Sequence, residues 1–487
     1  MAYRPPGNVI TAVPNTNLYA GNQTTMTVCV IGLGPITVAV TDEAVARGTG
    51  STDYLSAYAN GYTGVVVSQI AKSPNVVSGS GLTGKLVSQG GLLYNLASAT
   101  ISSSGTITWA TGSSVDIPSS GSVYYVSYTR ARAASEYQPK IYTDKQSIYA
   151  DKGPENNTTG ILSVAGAVVL ENGASQVMLV QASGSSFSLS AYQAAIDSLK
   201  AKTNIRSVVA VLPSGSSITD WMNVHAYLAA HVQQMYANPQ TTRNMFVGTP
   251  SPTYAVGGFN IIGDAQTPNS YCYYATQLNS RMIQYVVHAT PMTRTDANGN
   301  AYEYAGGFMA AAIAGLWAAQ PDYSTPINNQ IVTGFVIPDD FWNEDQMNQL
   351  AAAGCLVVKS KAGIVTVRDA ITTDTTNADT QEGTIFQQEM LVRQTVDAAI
   401  YKTYQSKGAK ITPKTPAMVA GTIAAALQSL VNSGDIYAYG KTLNPITGEA
   451  PISVTRDPVE PRRLNASWSV SYMYPLKWVF ATFSTYF

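Results

Sequence analysis

Charge is scarce in this sequence. Asp, Glu, Lys and Arg make up 12% of its 487 residues, about half of the roughly 25% usual in soluble globular chains, and the formal net charge is -1. No block of Lys and Arg is long enough to neutralise a phosphate backbone, which argues against nucleic acid as a partner. Cysteine and histidine each occur three times. Cys29, Cys272 and Cys355 lie too far apart for zinc-ligand or redox spacing, and a reducing assembly site is the simpler expectation. Long hydrophobic runs are missing as well. The longest, AGGFMAAAIAGLWAA at residues 305–319, is mostly Ala and Gly and falls short of the roughly 20 residues of a membrane span. It reads as a buried, closely packed helix, and no stable membrane insertion is expected. The opening MAYRPPGNVI lacks the apolar segment of a cleaved secretory signal, and its two prolines suggest an extended arm.

What is present is apolar and weakly polar. Hydrophobic residues reach 45%, Tyr numbers 30, and the chain is long enough for two or three domains. Residues 24–128 hold runs of Val, Ile and Thr broken by Gly, Ser and Asn, the pattern of antiparallel strands, with one helix at STDYLSAYA. After residue 157 the period changes. TTGILSVAGAVVLENGA has helical spacing and closes at Asn172-Gly173. SAYQAAIDSLKAK places Tyr192, Ala195, Ile196 and Leu199 on one helical face, with Ser190 as candidate N-cap. Helices then alternate with short apolar runs (SVVAVLP, NMFVGTP, IQYVVHAT), which predicts parallel strands buried on both faces over residues 174–290. Further on, DDFWNEDQMNQLAAAG reads as a helix and CLVVKSKAGIVTVRDA as a hairpin. Helices over residues 386–404 and 416–432 precede a final β segment.

Candidate chemistry is thin. GSGLTGK at residues 79–85 fits a Gly-rich phosphate loop only in outline. Leu86 stands where a Mg²⁺-binding Ser or Thr belongs, and Gly90-Gly91 follow in place of a helix. His225 and His231 are six residues apart, about 240° around a helix, and cannot share a metal from that helix alone. His288 lies inside an apolar strand run and reads as a core residue. Ser214, in VLPSGSS, lacks the Gly-x-Ser-x-Gly frame of a nucleophile elbow. Asp339, Asp340, Glu344 and Asp345 are read as favouring a helix N-terminus. No catalytic, cofactor-binding or metal-binding residues are assigned, and no enzyme activity is expected.

The end of the chain poses a different problem. In SWSVSYMYPLKWVFATFSTYF, residues 467–487, the even positions Trp468, Val470, Tyr472 and Tyr474 are apolar or aromatic, alternating with Ser467, Ser469 and Ser471. A period of two is that of a half-buried strand. No turn and no returning partner follow it.

Residues 142–487 resemble contractile tail sheath proteins of bacteriophages of the myovirus type. The resemblance rests on YTDKQSIYADKGPENNTTGILSVAGAVVLENGASQVMLVQ, with Gly153-Pro154 and the cap from Glu171 to Ala174, and on the small-residue helix YAGGFMAAAIAGLWAAQPD. It continues in EGTIFQQEMLVRQTVDAAIYKTYQ, with Arg393, and in ISVTRDPVEPRRLNASWSVSYMYPLKWVFATFSTYF. VCVIGLGPITVAVTD is similar to the strand and turn that open many sheath cores, whereas RPPGNVITAV departs from the family's usual Pro-Gly-Val-Tyr arm.

The resemblance implies an α/β core with a mainly parallel sheet, a β-rich antiparallel N-terminal domain and extended terminal arms. The expected organisation is an arm (1–20), a β-rich outward-facing domain (21–140), a sheath core (141–440) and a C-terminal tether with a strand-donating segment (441–487). It further implies a helical polymer of hexameric rings around a tail tube, bound to tube, baseplate and tail-terminator proteins, located in the virion tail and assembled in the host cytoplasm. Contraction for genome ejection would then use re-packed interfaces and no cofactor. Strand exchange between subunits is expected at Val9, Ile10, Trp468, Val470, Tyr472 and Tyr474 by β-augmentation. Each net hydrogen bond contributes about 1 kcal/mol and each buried large side chain roughly 1.5–3 kcal/mol. A terminal strand that completes its own subunit's sheet is the competing account. Lys407, Lys410 and Lys414 are expected to face the tube. The alternative function is a phage adhesin or capsid-decorating protein, favoured by the Tyr- and Ser-rich β region.

Overall fold

In the computed structural model of the chain the described residues are 27–71, 93–94, 96–111, 117–156, 160–213, 215–249, 262–296, 299–440, 451–460 and 462–474. Val9, Ile10, Ser214 and the Gly-rich stretch 79–85 lie outside them. The chain divides into two compact units, Pro35–Gln138 and the remainder.

The larger unit is built on an eight-stranded sheet. Six strands run parallel in the spatial order β9 (Val177–Ala182), β1 (Thr27–Leu33), β10 (Ile205–Ala210), β11 (Asn244–Gly248), β12 (Ile283–His288) and β15 (Cys355–Lys361). Antiparallel strands close the two edges, β8 (Lys140–Tyr142) beside β9 and β16 (Ile364–Val367) beside β15. Every residue of β1, β9, β10, β11 and β12 is buried, so helices must cover both faces. The helices are α2 (Lys145–Lys152), α3 (Ile161–Glu171), α4 (Leu189–Asp197), α5 (Ile218–Tyr236), α6 (Tyr271–Leu278), α7 (Gly306–Ala318) and α8 (Glu344–Ala352). α3 packs on α7, α4 on α5, and α6 on α8.

Local chemistry sets these elements. Ser217 and Asp220 form a reciprocal capping box at the start of α5, and Gly173, at φ +93°, closes α3. The Ala- and Gly-rich stretch forms α7, buried along nearly its whole length. Its small residues permit contact at backbone distance. A Cβ on Gly315 would lie 2.4 Å from the Val169 carbonyl oxygen of α3, and one on Gly248 would lie 1.9 Å from the Gly306 carbonyl carbon. At the periphery β13 (Thr293–Thr295) pairs with β14 (Ala301–Glu303). From β13, Arg294 reaches both Glu155 (2.8 Å) and Glu171 (2.7 Å).

Three sequence expectations change. TVCVIGL is not part of an antiparallel region: β1 sits between β9 and β10 in the centre of the parallel sheet. Ser188, not Ser190, is the N-cap of α4. The acidic group divides. Glu344 and Asp345 occupy the first turn of α8, capped by Asn343, whereas Asp339 accepts from Ser360 and from the Gly363 N–H, and so holds the β15–β16 turn.

The smaller unit carries two antiparallel three-stranded sheets. One has the order β2 (Thr37–Ala46), β7 (Val123–Ala131), β4 (Val66–Ala71); the other has the order β3 (Thr52–Tyr54), β6 (Thr106–Trp109), β5 (Ala99–Ile101). A single helical turn, α1 (Ser56–Ala59), adds Ala57 to a core with Leu55, Ile70, Ile107, Trp109, Tyr124 and Val126. Asp53 is buried at the centre. It accepts from Arg47 Nη1 (3.2 Å), Gly48 N (2.9 Å), Trp109 Nε1 (2.9 Å) and Tyr124 Oη (2.9 Å). Four donors satisfy a carboxylate that burial alone would disfavour.

Candidate functional site

The C-terminal third supplies the candidate assembly site. After the short α9 (Ala378–Gln381), helix α10 (Gly383–Ile400) passes from one core to another. Phe386 and Met390 belong to the main core. Val392 and Val396 instead join Val419, Ile423, Leu427, Leu430 and Ile436 in a smaller one. The last five of these come from α11 (Thr415–Ser433) and the turn after it, where Gly434 takes the left-handed conformation, φ +79°. Between the helices a π-helical turn, Tyr401–Gln405, leads into an exposed loop. Lys407, Lys410 and Lys414 are all exposed there. The sequence of α11 contains no charged residue.

The final β segment lies against this small core. β18 (Ser453–Arg456) pairs with β19 (Leu464–Ser467), and β17 (Ala438–Tyr439) pairs with β20 (Val470–Ser471), both antiparallel. Among the described residues neither pair gains a third strand. The Asp457 carboxylate accepts from the backbone N–H groups of Glu460 and Val459, and these hold its pKa down at about 2. Trp468, Val470 and Tyr472 are half-buried against the small core with Ile452, Val454 and Leu464. Tyr474 is exposed, with its hydroxyl donating to Asp379 (2.6 Å). The alternating stretch is therefore broken rather than continuous: the chain leaves β19's sheet at Trp468 and joins β17 two residues later.

One contact holds this segment from the side of α10. Gln388, fully buried, accepts from the Met473 N–H (2.8 Å) through Oε1 and donates to the Met473 carbonyl (2.9 Å) through Nε2. Beside it is a cleft of about 410 Å³ lined by Arg281, Phe386, Glu389, Val470, Tyr472 and Tyr474. Arg281 pairs with Glu389 (2.9 Å) and donates to the Tyr236 hydroxyl (2.8 Å). Arg393 donates to the Tyr236 carbonyl (2.7 Å) and stacks 3.8 Å from the Tyr236 ring centre. These groups are tied to one another and form a support for the C-terminal segment.

The histidines are core residues. Burial pushes His225 down to about 3 and His288 to about 4; burial, aided by the Arg243 charge, brings His231 to about 4. His225 Nδ1 lies 2.7 Å from the Tyr274 hydroxyl, and His288 Nδ1 lies 2.7 Å from the Ala289 carbonyl. Sequence reasoning missed Gln388. Nothing in IFQQEMLV separates it from its neighbour Gln387, because its role depends on a contact 85 residues away.

Two solved structures have a similar fold. A chain of the anti-feeding prophage baseplate, six-fold symmetrised, superposes with a TM-score of 0.53 at 14% identity, covering 73% of this chain and 89% of that one. The helical sheath of the same prophage in its contracted state gives 0.52 at 12% identity, covering 72% and 90%. In sequence, the tail sheath protein of Mycobacterium phage Bxz1 is 24% identical over 269 residues, 52% of this chain and 41% of that protein. The match thus spans about two fifths of the length of that relative. No protein-family model matches the chain.

Proposed function

We propose that this chain is a structural subunit that polymerises around a phage tail tube as a contractile sheath and shortens to drive the tube through the bacterial envelope. The carrying observation is the similarity in sequence to a phage tail sheath protein and in fold to chains of the anti-feeding prophage. The C-terminal strand pairs, two-stranded among the described residues, fit this reading, since a neighbour's strand can add to such a pair.

In this reading the subunits form six-fold rings stacked helically, the tail tube runs through their lumen, and the baseplate and tail terminator cap the ends. Assembly takes place in the host cytoplasm and the product is part of the virion tail. The work of contraction comes from re-packing of interfaces between rigid cores, with strands kept as tethers. Val9 and Ile10 supply one exchanged strand and the C-terminal segment the other, with Trp468, Val470 and Tyr472 at its root on the small core and Tyr474 at the start of the donated part. Lys407, Lys410 and Lys414 form the seat on the tube, and their joint replacement by Glu is expected to leave the fold intact and abolish co-assembly with tubes.

Negative-stain electron microscopy of the purified full chain tests the reading. Tubes or stacked rings with an open lumen are expected. Monomers at every concentration and salt tested would favour the adhesin or capsid-decorating alternative.

A further inference from the structure

A glutamine carboxamide presents a donor and an acceptor in one plane, which matches the N–H and C=O of a single extended residue. Gln388 uses both on Met473, at 2.8 and 2.9 Å. Since both bonds go to the backbone, the contact does not depend on the side chain at position 473. Its site is buried, where an unpaired carboxamide is costly, and the remaining contact of Nε2 is a longer one to the Thr384 carbonyl (3.3 Å). Gln388 lies between Phe386 and Met390, on the part of α10 that belongs to the main core. Before Met473 the segment is also held by the packing of Trp468, Val470 and Tyr472 on the small core. The two-residue β20 is tied to β17, with Tyr437 N donating to Ser471 O and Gly440 N to Ser469 O, and the exposed Tyr474 hydroxyl reaches Asp379.

We infer that Gln388 moors the C-terminal segment to the main core, so that the segment's root is fixed at Met473 on its own subunit and any strand this chain gives to a neighbour begins beyond that residue. Gln388 is a positioning residue: load on a donated strand reaches the rigid sheet through α10 rather than through the small core. The second half of this statement rests on the sheath reading; the mooring itself does not.

The test is amide hydrogen exchange on the unassembled full chain, with two variants that remove the clamp from opposite sides. Gln388→Leu deletes the carboxamide, and Met473→Pro deletes the N–H it accepts from without touching α10. In the wild type the amides of Met473 and Tyr474 are expected to be protected. In both variants the amides around Tyr472 and Tyr474 exchange at least roughly tenfold faster, while those of α10 and the melting temperature stay near wild type. Wild-type amides at 472–474 that exchange like a free peptide, or variants that exchange as slowly as wild type, overturn the mooring. So does a Gln388→Leu chain that loosens all of α10 while Met473→Pro releases nothing. The critical concentration for tube formation supplies the second readout: it rises at least tenfold in both variants if the mooring carries donated strands, and an unchanged value overturns that role. A wild-type chain that never forms tubes sinks the sheath reading, whereas the exchange result still decides the mooring.

Discussion

The parallel sheet and the C-terminal strands end in opposite states. β1, β9, β10, β11 and β12 are buried at every position, and short antiparallel strands close both edges of their sheet. β18 and β19, by contrast, have no buried residue, and β17 and β20 are two residues long and half-buried. Among the described residues one region is a closed body with both sheet edges capped, and the other is a set of two-stranded pairs resting on a small core of its own.

Acid gives the largest expected effect, and it falls on the closed body. His225 and His288 are held neutral with folded values of about 3 and 4, against about 6.5 in the unfolded chain. A depressed histidine value means that the unfolded state binds the proton first, so stability falls as pH drops below about 6.5 and continues to fall until about 4 for His288 and about 3 for His225. By pH 5 the loss is about 2 kcal/mol for each of the two. All three histidines lie outside the smaller unit. Calorimetry from pH 7 to 5 is therefore expected to lower the transition of the large unit and to leave that of the smaller unit nearly in place.

Gly315→Ala comes next, at more than about 3 kcal/mol in chemical denaturation, since its Cβ would sit 2.4 Å from a carbonyl oxygen of α3 and both helices would have to separate. Asp53→Ala should cost about 3 kcal/mol, confined to the smaller unit, because it leaves the Arg47 charge, Trp109 Nε1 and the Tyr124 hydroxyl buried without their shared acceptor. A loss seen equally in both calorimetric transitions would break the separation of the units. Leu427→Ala, in the small core, should cost about 2–3 kcal/mol. Its signature is faster proteolysis of the C-terminal strands with the main transition barely moved.

Much of the closed body was legible in the sequence, because strands buried on both faces read as continuous apolar runs between helical periods. The placement of β1 was not, although a sign was available. TVCVIGL has no polar alternation, while β2 alternates between exposed and half-buried along most of its length. Continuous burial marks a central strand, but its partners β9 and β10 lie about 150 and 180 residues on in the chain, beyond the reach of any local pattern. The division of the acidic group had the same cause: Asp339 serves a hairpin turn that only tertiary contact brings to it. At the candidate site the apolar face of residues 468, 470 and 472 was readable from its period. Gln388 was not, since one glutamine among the polar residues of a helix carries no sign of the backbone it will hold.

The most direct test of donated strands is sedimentation velocity, with electron microscopy of the same samples, on the full chain beside a chain ending at Tyr474. That truncation keeps Trp468, Val470, Tyr472 and the Met473 clamp, so its melting temperature should match the full chain. Rings or tubes from the full chain and monomers from the truncated one are the predicted result. Equal assembly by both, or by neither, would contradict assembly through a donated C-terminal strand.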